Sequence, residues 1–181
     1  MRRPCVRLTV RWLAVAVLFL GWLALPYTVS RYQGDGTITD RGFWSYPRYR
    51  IRLPQMELAA GRPHVYRLRG LPPESLYLTF EVVGRRLVDD EDFDAMRTGK
   101  TWMAVTIADD RGRRVCSASG ALKEWVLTQS YQHASYWHDG CVRPELNERT
   151  AYTMTVTVGG ESATPQLVIV PTLEGGGMEL P

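Results

Sequence analysis

The densest cluster of chemically capable side chains lies in the sequence QSYQHASYWHDGC, which ends at Cys141. It contains two of the three histidines, His133 and His138, with serines and Asp139 nearby. A serine hydrolase needs a nucleophile, a base and an orienting acid, and these groups usually come from separate elements. Here they are close in sequence, and no Gly-x-Ser-x-Gly motif is present. We therefore predict that the chain is not an enzyme; the alternative is an envelope hydrolase using His133 or His138 with a carboxylate from another strand.

The same cluster is rich in aromatic side chains, which suit a binding surface. Trp and Tyr present flat apolar faces with a polar edge, so they stack on sugar rings or fill pockets on a partner. The alternative is core packing, because a tryptophan beside a disulfide is common in β-sandwiches. We predict a binding surface centred on Tyr136 and Trp137. Its candidate residues are Trp125, Tyr131, Tyr136, Trp137 and His138.

Five carboxylates lie within the six residues from Asp89 to Asp94. A calcium ion, which takes about six to eight oxygen ligands, would relieve their repulsion. However, their spacing matches no motif with fixed ligand positions, and a zinc site built from His133, His138 and a cysteine also fits no common pattern. We predict a solvated acidic loop with no metal and no cofactor. A calcium-stabilised binding module is the alternative.

The chain has three cysteines, Cys5, Cys116 and Cys141. Cys5 precedes the apolar segment described below, whereas the other two follow it. A pair of cysteines on the exported side of a membrane indicates a disulfide, because exported compartments are oxidising. We therefore predict a Cys116–Cys141 bond that encloses most of the aromatic cluster.

The segment from Trp12 to Val29 contains no charged residue and predicts a transmembrane signal-anchor helix. Its length corresponds to about 27 Å of helix, close to a hydrocarbon core of roughly 30 Å. Four arginines precede it, so the positive-inside rule places the N-terminus in the cytoplasm. The alternative is a signal peptide cleaved near Ser30, although the small-residue pattern of a cleavage site is missing. We predict a single-pass inner-membrane protein whose C-terminal domain is periplasmic or extracellular.

Beyond residue 30 the chain is nearly neutral, with 18 basic and 19 acidic residues. The pI near 8.9 therefore reflects the N-terminal arginines, and we predict no nucleic-acid partner. Arg48, Arg50 and Arg52 share one strand face. That face would either contact anionic lipid headgroups or a polyanionic glycan, or be an ordinary solvated strand face.

Apolar and polar residues alternate with a period of two along the exported part, as strands with one buried face require. The alternating segments are 49–53, 66–69, 76–82, 103–107 and 152–158, with further strands expected at 122–127 and 166–170. Turn signals such as Asp110-Arg111-Gly112 separate them. This pattern predicts an all-β, two-sheet antiparallel sandwich of about eight strands, of immunoglobulin-like or jelly-roll type.

The predicted organisation has five parts. They are a cytoplasmic basic segment (1–11), the anchor (12–29), a linker (30–46), the exported sandwich (47–172) and a flexible tail (173–181). Because no catalytic motif is evident, we expect a non-enzymatic accessory or binding module, held beside the membrane, that engages an envelope protein or glycan.

Overall fold

The computed structural model describes residues 15, 32–40, 49–59, 61–71, 76–83, 100–129, 134–141, 144, 146–160 and 168–175. Within these residues the chain forms two antiparallel β-sheets and two short 3-10 helices, which confirms the predicted all-β sandwich. The strands are β1 (Thr37–Asp40), β2 (Tyr49–Arg52), β3 (Met56–Glu57), β4 (His64–Leu68), β5 (Leu76–Val83), β6 (Trp102–Asp109), β7 (Arg114–Ala121), β8 (Val126–Gln129), β9 (Ala134–Trp137), β10 (Tyr152–Gly159) and β11 (Val168–Gly175). The 3-10 helices are η1 (Leu122–Glu124) and η2 (Asp139–Cys141).

The two sheets differ in size. The larger has the order β1-β2-β11-β5-β9-β8, with β3 also paired to β11, and the smaller has the order β4-β10-β6-β7. The last two strands of the chain are therefore interior strands, β10 in the smaller sheet and β11 in the larger. Among the described strands, β10 and β11 therefore connect strands from earlier parts of the chain in the two sheets.

The alternation read from the sequence is the burial pattern of the strands. In β6, in β10 and in β5 as far as Phe80, every second residue is buried and its neighbours are more exposed. The core side chains of these three strands are Leu76, Leu78, Phe80, Met103, Val105, Ile107, Tyr152, Met154, Val156 and Val158. Each contributes roughly 1.5–3 kcal/mol by burial, so the sheets are held together mainly by this shared core.

Residues 32–40, within the segment predicted as a linker, are part of the fold. The amide of Asp35 donates to the carbonyl oxygen of Arg67 in β4 at 2.8 Å, and the Asp35 carboxylate accepts from the Arg67 amide at 2.7 Å. Two residues later the chain enters β1, which pairs with β2 of the larger sheet. This segment thus joins the two sheets along one edge. Its polar, glycine-containing sequence gave no alternating pattern from which pairing could be predicted.

Two further elements differ from the predicted boundaries. The strand expected at 122–127 begins instead as η1, because the Glu124 carboxylate caps the turn by accepting from the Ala121 amide at 3.0 Å. The strand expected at 166–170 is β11, which continues to Gly175 and so includes the first residues of the predicted tail. Pairing with β2 and β5 on both sides extends β11 through a glycine-containing sequence that would fray alone.

The predicted turn at Asp110-Arg111-Gly112 is confirmed as the hairpin between β6 and β7. Gly112 has a φ of 77°, which a residue with a Cβ rarely adopts. The buried Asp109 carboxylate accepts from the amides of Arg111 and Arg113, at 3.0 and 2.8 Å, and from the Arg113 guanidinium at 3.1 Å. Although burial opposes ionisation, these hydrogen bonds and the positive charge of Arg113 hold the pKa of Asp109 below its ordinary value.

The predicted transmembrane segment lies outside the described residues, except for Val15, which is helical. Across the part of the chain that the structure describes, no helix is long and apolar enough to cross a membrane.

Candidate functional site

The predicted disulfide is present between Cys116 in β7 and Cys141 at the end of η2. Their Cα atoms are 5.3 Å apart, and both side chains are buried. The bond holds η2 against β7, an edge strand of the smaller sheet. The segment that carries the candidate site, residues 117–140, is therefore closed into a loop anchored on the core.

Trp125, between η1 and β8, is a core residue with 4% exposure. Its indole meets the Phe80 ring edge-on, with centroids 5.6 Å apart, and the His138 ring at 5.0 Å. Its Nε1 is buried, and no described residue accepts a hydrogen bond from it. These contacts make Trp125 a support for the site and leave almost none of its surface for a ligand.

Tyr136 in β9 is also buried, with 3% exposure. It lies opposite Phe80 of β5, so its side chain is on the inner face of the larger sheet. Burial raises the pKa of its hydroxyl above the ordinary value. Tyr136 and Trp125 thus stabilise the hairpin formed by β8 and β9 from inside.

Trp137 follows Tyr136 in β9 and therefore lies on the opposite, outer face of the larger sheet. It is partly exposed, and its cross-strand neighbour Val126 is 42% exposed. Residues directly opposite in an antiparallel pair contact each other across the sheet. Trp137 and Val126 together form an apolar pair on the outer face of the β8–β9 hairpin, where β8 is the last strand of the sheet.

His138 links the core and the surface of this region. It is partly exposed, packs on Trp125, and its Nδ1 accepts from the Gly140 amide at 3.0 Å. A neutral imidazole that accepts at Nδ1 carries its proton on Nε2. His138 therefore connects the backbone of η2 to the core side chain of Trp125.

Several other predicted residues lie outside the described part of the chain. These are Tyr131 and His133 of the cluster, the acidic run from 89 to 94, Arg48 and Cys5. Among the described residues, no group of three or more His, Cys, Asp or Glu side chains could hold a metal ion.

The two described arginines of the face predicted on β2 form ion pairs with carboxylates from neighbouring strands. Arg50 forms ion pairs with Glu174 of β11 and, at 3.5 Å, with Glu81 of β5, while Arg52 pairs with Glu81 at 3.1 Å. The two carboxylate partners, Glu81 and Glu174, could not be assigned from the sequence, because β5 and β11 are distant from β2 in the chain. A face of balanced charge favours the interpretation as an ordinary strand surface over an anion-binding one.

Sequence reasoning missed Trp102, the first residue of β6, which is 41% exposed. It lies outside the aromatic cluster and directly precedes the alternating core residues that begin at Met103. The available signal was its position directly before Met103, which places it on the outer face of its strand.

A comparison with protein-family models finds none that matches the chain, and a comparison with curated proteins finds no match either.

Proposed function

We propose that the chain is a membrane-anchored, exported and non-enzymatic binding module. The domain would be held beside the membrane by residues 12–29 and would engage an envelope protein or glycan. The disulfide supports export, because such bonds persist in oxidising compartments. The basic residues before the apolar segment support a cytoplasmic N-terminus.

The strand order favours a jelly roll over an immunoglobulin-like sandwich. Eight strands make up the two four-stranded layers when β1, β3 and β8 are left aside, and they form β2-β11-β5-β9 and β4-β10-β6-β7. Numbered one to eight along the chain, these layers read 1-8-3-6 and 2-7-4-5, which is the order of a jelly roll built from two Greek keys. In this proposal β1 and β8 are additions at the two edges of the larger sheet.

The observation that carries the binding proposal is the apolar pair of Trp137, which is partly exposed, and Val126, which is 42% exposed. Tryptophan is the side chain most enriched at interface hot spots, because it buries a large area with few rotamers. Here it is supported from inside by Tyr136 and Trp125 and tied to the core by the disulfide. A tryptophan held on a strand that is packed from inside loses little conformational entropy on binding.

The test is chemical cross-linking of the full-length protein in its native membrane, followed by pull-down and mass spectrometry. We expect one dominant envelope partner, whose yield falls sharply in Trp137→Ala. A hot-spot tryptophan is worth about 2 kcal/mol or more, which corresponds to roughly thirtyfold in affinity.

The matched control is Trp102→Ala, which removes a partly exposed tryptophan from the other sheet. Thermal melts must show that both variants are folded at the temperature of the assay. Unchanged recovery of the partner with Trp137→Ala would show that the hairpin is not the contact surface. Recovery of no partner from an intact, oxidised domain would contradict a protein-binding function.

A further inference from the structure

The outer face of the four-stranded sheet carries small side chains in regular rows. The rows across β10, β6 and β7 are Thr155–Thr106–Ser117 and Thr157–Ala104–Ser119. The serines are exposed, and the other four residues are partly exposed. Neighbouring strands lie about 4.8 Å apart, and alternate residues of one strand lie about 7 Å apart. The hydroxyl groups therefore form a regular array of donors and acceptors.

Trp102 lies in the next row, between Gly159 of β10 and Ala121 of β7. The indole occupies the space that a Cβ on Gly159 would fill. The ring therefore packs directly on the backbone of β10, because Gly159 has no side chain that would hold it away from the sheet. Its remaining exposure, 41%, faces away from the sheet.

Two arginines lie at the far end of this face, and the Glu124 carboxylate lies beside the row of Trp102, on the Ala121 amide. Arg67 and Arg114 lie in the row of Thr153 and Ala108, six residues along β6 from Trp102, or roughly 20 Å. Among the described residues, no carboxylate lies between that row and Trp102. A protein interface is usually centred on a cluster of large anchors, whereas this face has one aromatic ring and one exposed valine, Val65 in the row of Thr155, amid small side chains.

We propose that this face binds a neutral polysaccharide, with Trp102 stacked on one sugar ring. The hydroxyls of Thr157, Ser119 and Thr106 would exchange hydrogen bonds with sugar hydroxyls along the array. A chain of β-linked sugars with equatorial hydroxyls fits best, because its rings present flat C–H faces to an indole while their edges donate and accept. The inference rests on the proposed export of a binding module, and it names a ligand class on a surface separate from the β8–β9 hairpin.

The test uses the full-length protein in a detergent without a sugar headgroup. It is sedimented with insoluble chitin and with cellulose, and the matching soluble hexasaccharides are titrated by calorimetry. We expect binding to at least one polymer and a loss of about tenfold or more in Trp102→Ala. Gly159→Ala should also weaken binding, because the new methyl group displaces the indole while Trp102 itself is retained.

One control matches the glycine variant. Gly61→Ala makes the same change where the nearest neighbouring atom is 3.9 Å from the added carbon. It should bind the polymer as the wild type does.

Three outcomes would overturn the inference. They are no sedimentation with either polymer, unchanged binding by a folded Trp102→Ala variant, and tighter binding to polygalacturonate than to the neutral polymers. Each leaves the proposed function standing if a cross-linked partner still depends on Trp137. If capture of a protein partner depends on Trp102 instead, the face docks a protein, and both the glycan inference and the hairpin assignment fail.

Discussion

Replacing both Cys116 and Cys141 with alanine should destabilise the domain by an amount set by the loop they close. Their separation is 25 residues. The chain-entropy relation then gives a loss of about 12 cal/mol/K in the unfolded state, or about 3.5 kcal/mol at 25 °C. Removing two buried sulfur atoms adds to this loss. For a domain of this size, we expect the melting temperature to fall by roughly 10–15 °C.

The assay is thermal and urea unfolding of the full-length protein, followed by circular dichroism. Cys5→Ala is the matched control, because it removes the one cysteine outside the bond and should leave the melt unchanged. The denatured, unreduced wild type should show one reactive thiol, since the chain has three cysteines. A double variant within about 1 kcal/mol of the wild type, or three reactive thiols, would refute the reasoning.

Two further perturbations test the fold. Asp109→Asn should lower the melting temperature at neutral pH. Because the folded-state pKa of Asp109 is lowered, the stability that its carboxylate contributes is present above the ordinary carboxyl pKa of about 3.9 and is lost as the pH falls through the folded-state pKa. A melting-temperature difference from the wild type that is the same at acid and neutral pH would contradict this. Gly175→Ala should cost about 1–3 kcal/mol in urea unfolding, because the added carbon would overlap the buried Tyr49 ring. Gly61→Ala is its control and should change stability by less than about 0.5 kcal/mol, whereas equal effects of the two would show that Tyr49 is not packed as described.

The strands that alternate cleanly could be predicted from sequence, and the pairing of distant strands could not. In β10 a threonine follows each buried residue from Tyr152 to Val156, so both its existence and its inner face were evident. Its position between β4 and β6 depends on contacts across the whole domain, which a period of two does not encode. For the same reason β11 was predicted too short, because pairing on both sides extends it through Glu174 and Gly175.

The candidate site was predicted in part. The disulfide followed from the number of cysteines and from the place of Cys116 and Cys141 after the apolar segment. The sequence could not separate buried from exposed aromatics in a short strand, so Tyr136 and Trp137 were treated alike although they lie on opposite faces. Trp102 could not be identified from the sequence, because its neighbours in the sheet come from β7 and β10, which are distant from it in the chain.

The most direct test of the account is the location and redox state of the domain in cells. Spheroplasts that contain the native protein are treated with an impermeant protease, and the thiols of untreated cells are trapped and counted. We predict that residues beyond 30 are digested without breaking the membrane, and that Cys116 and Cys141 are oxidised while Cys5 is free. A protected domain with three free thiols would place it in the cytoplasm and contradict the proposal of an exported, anchored binding module.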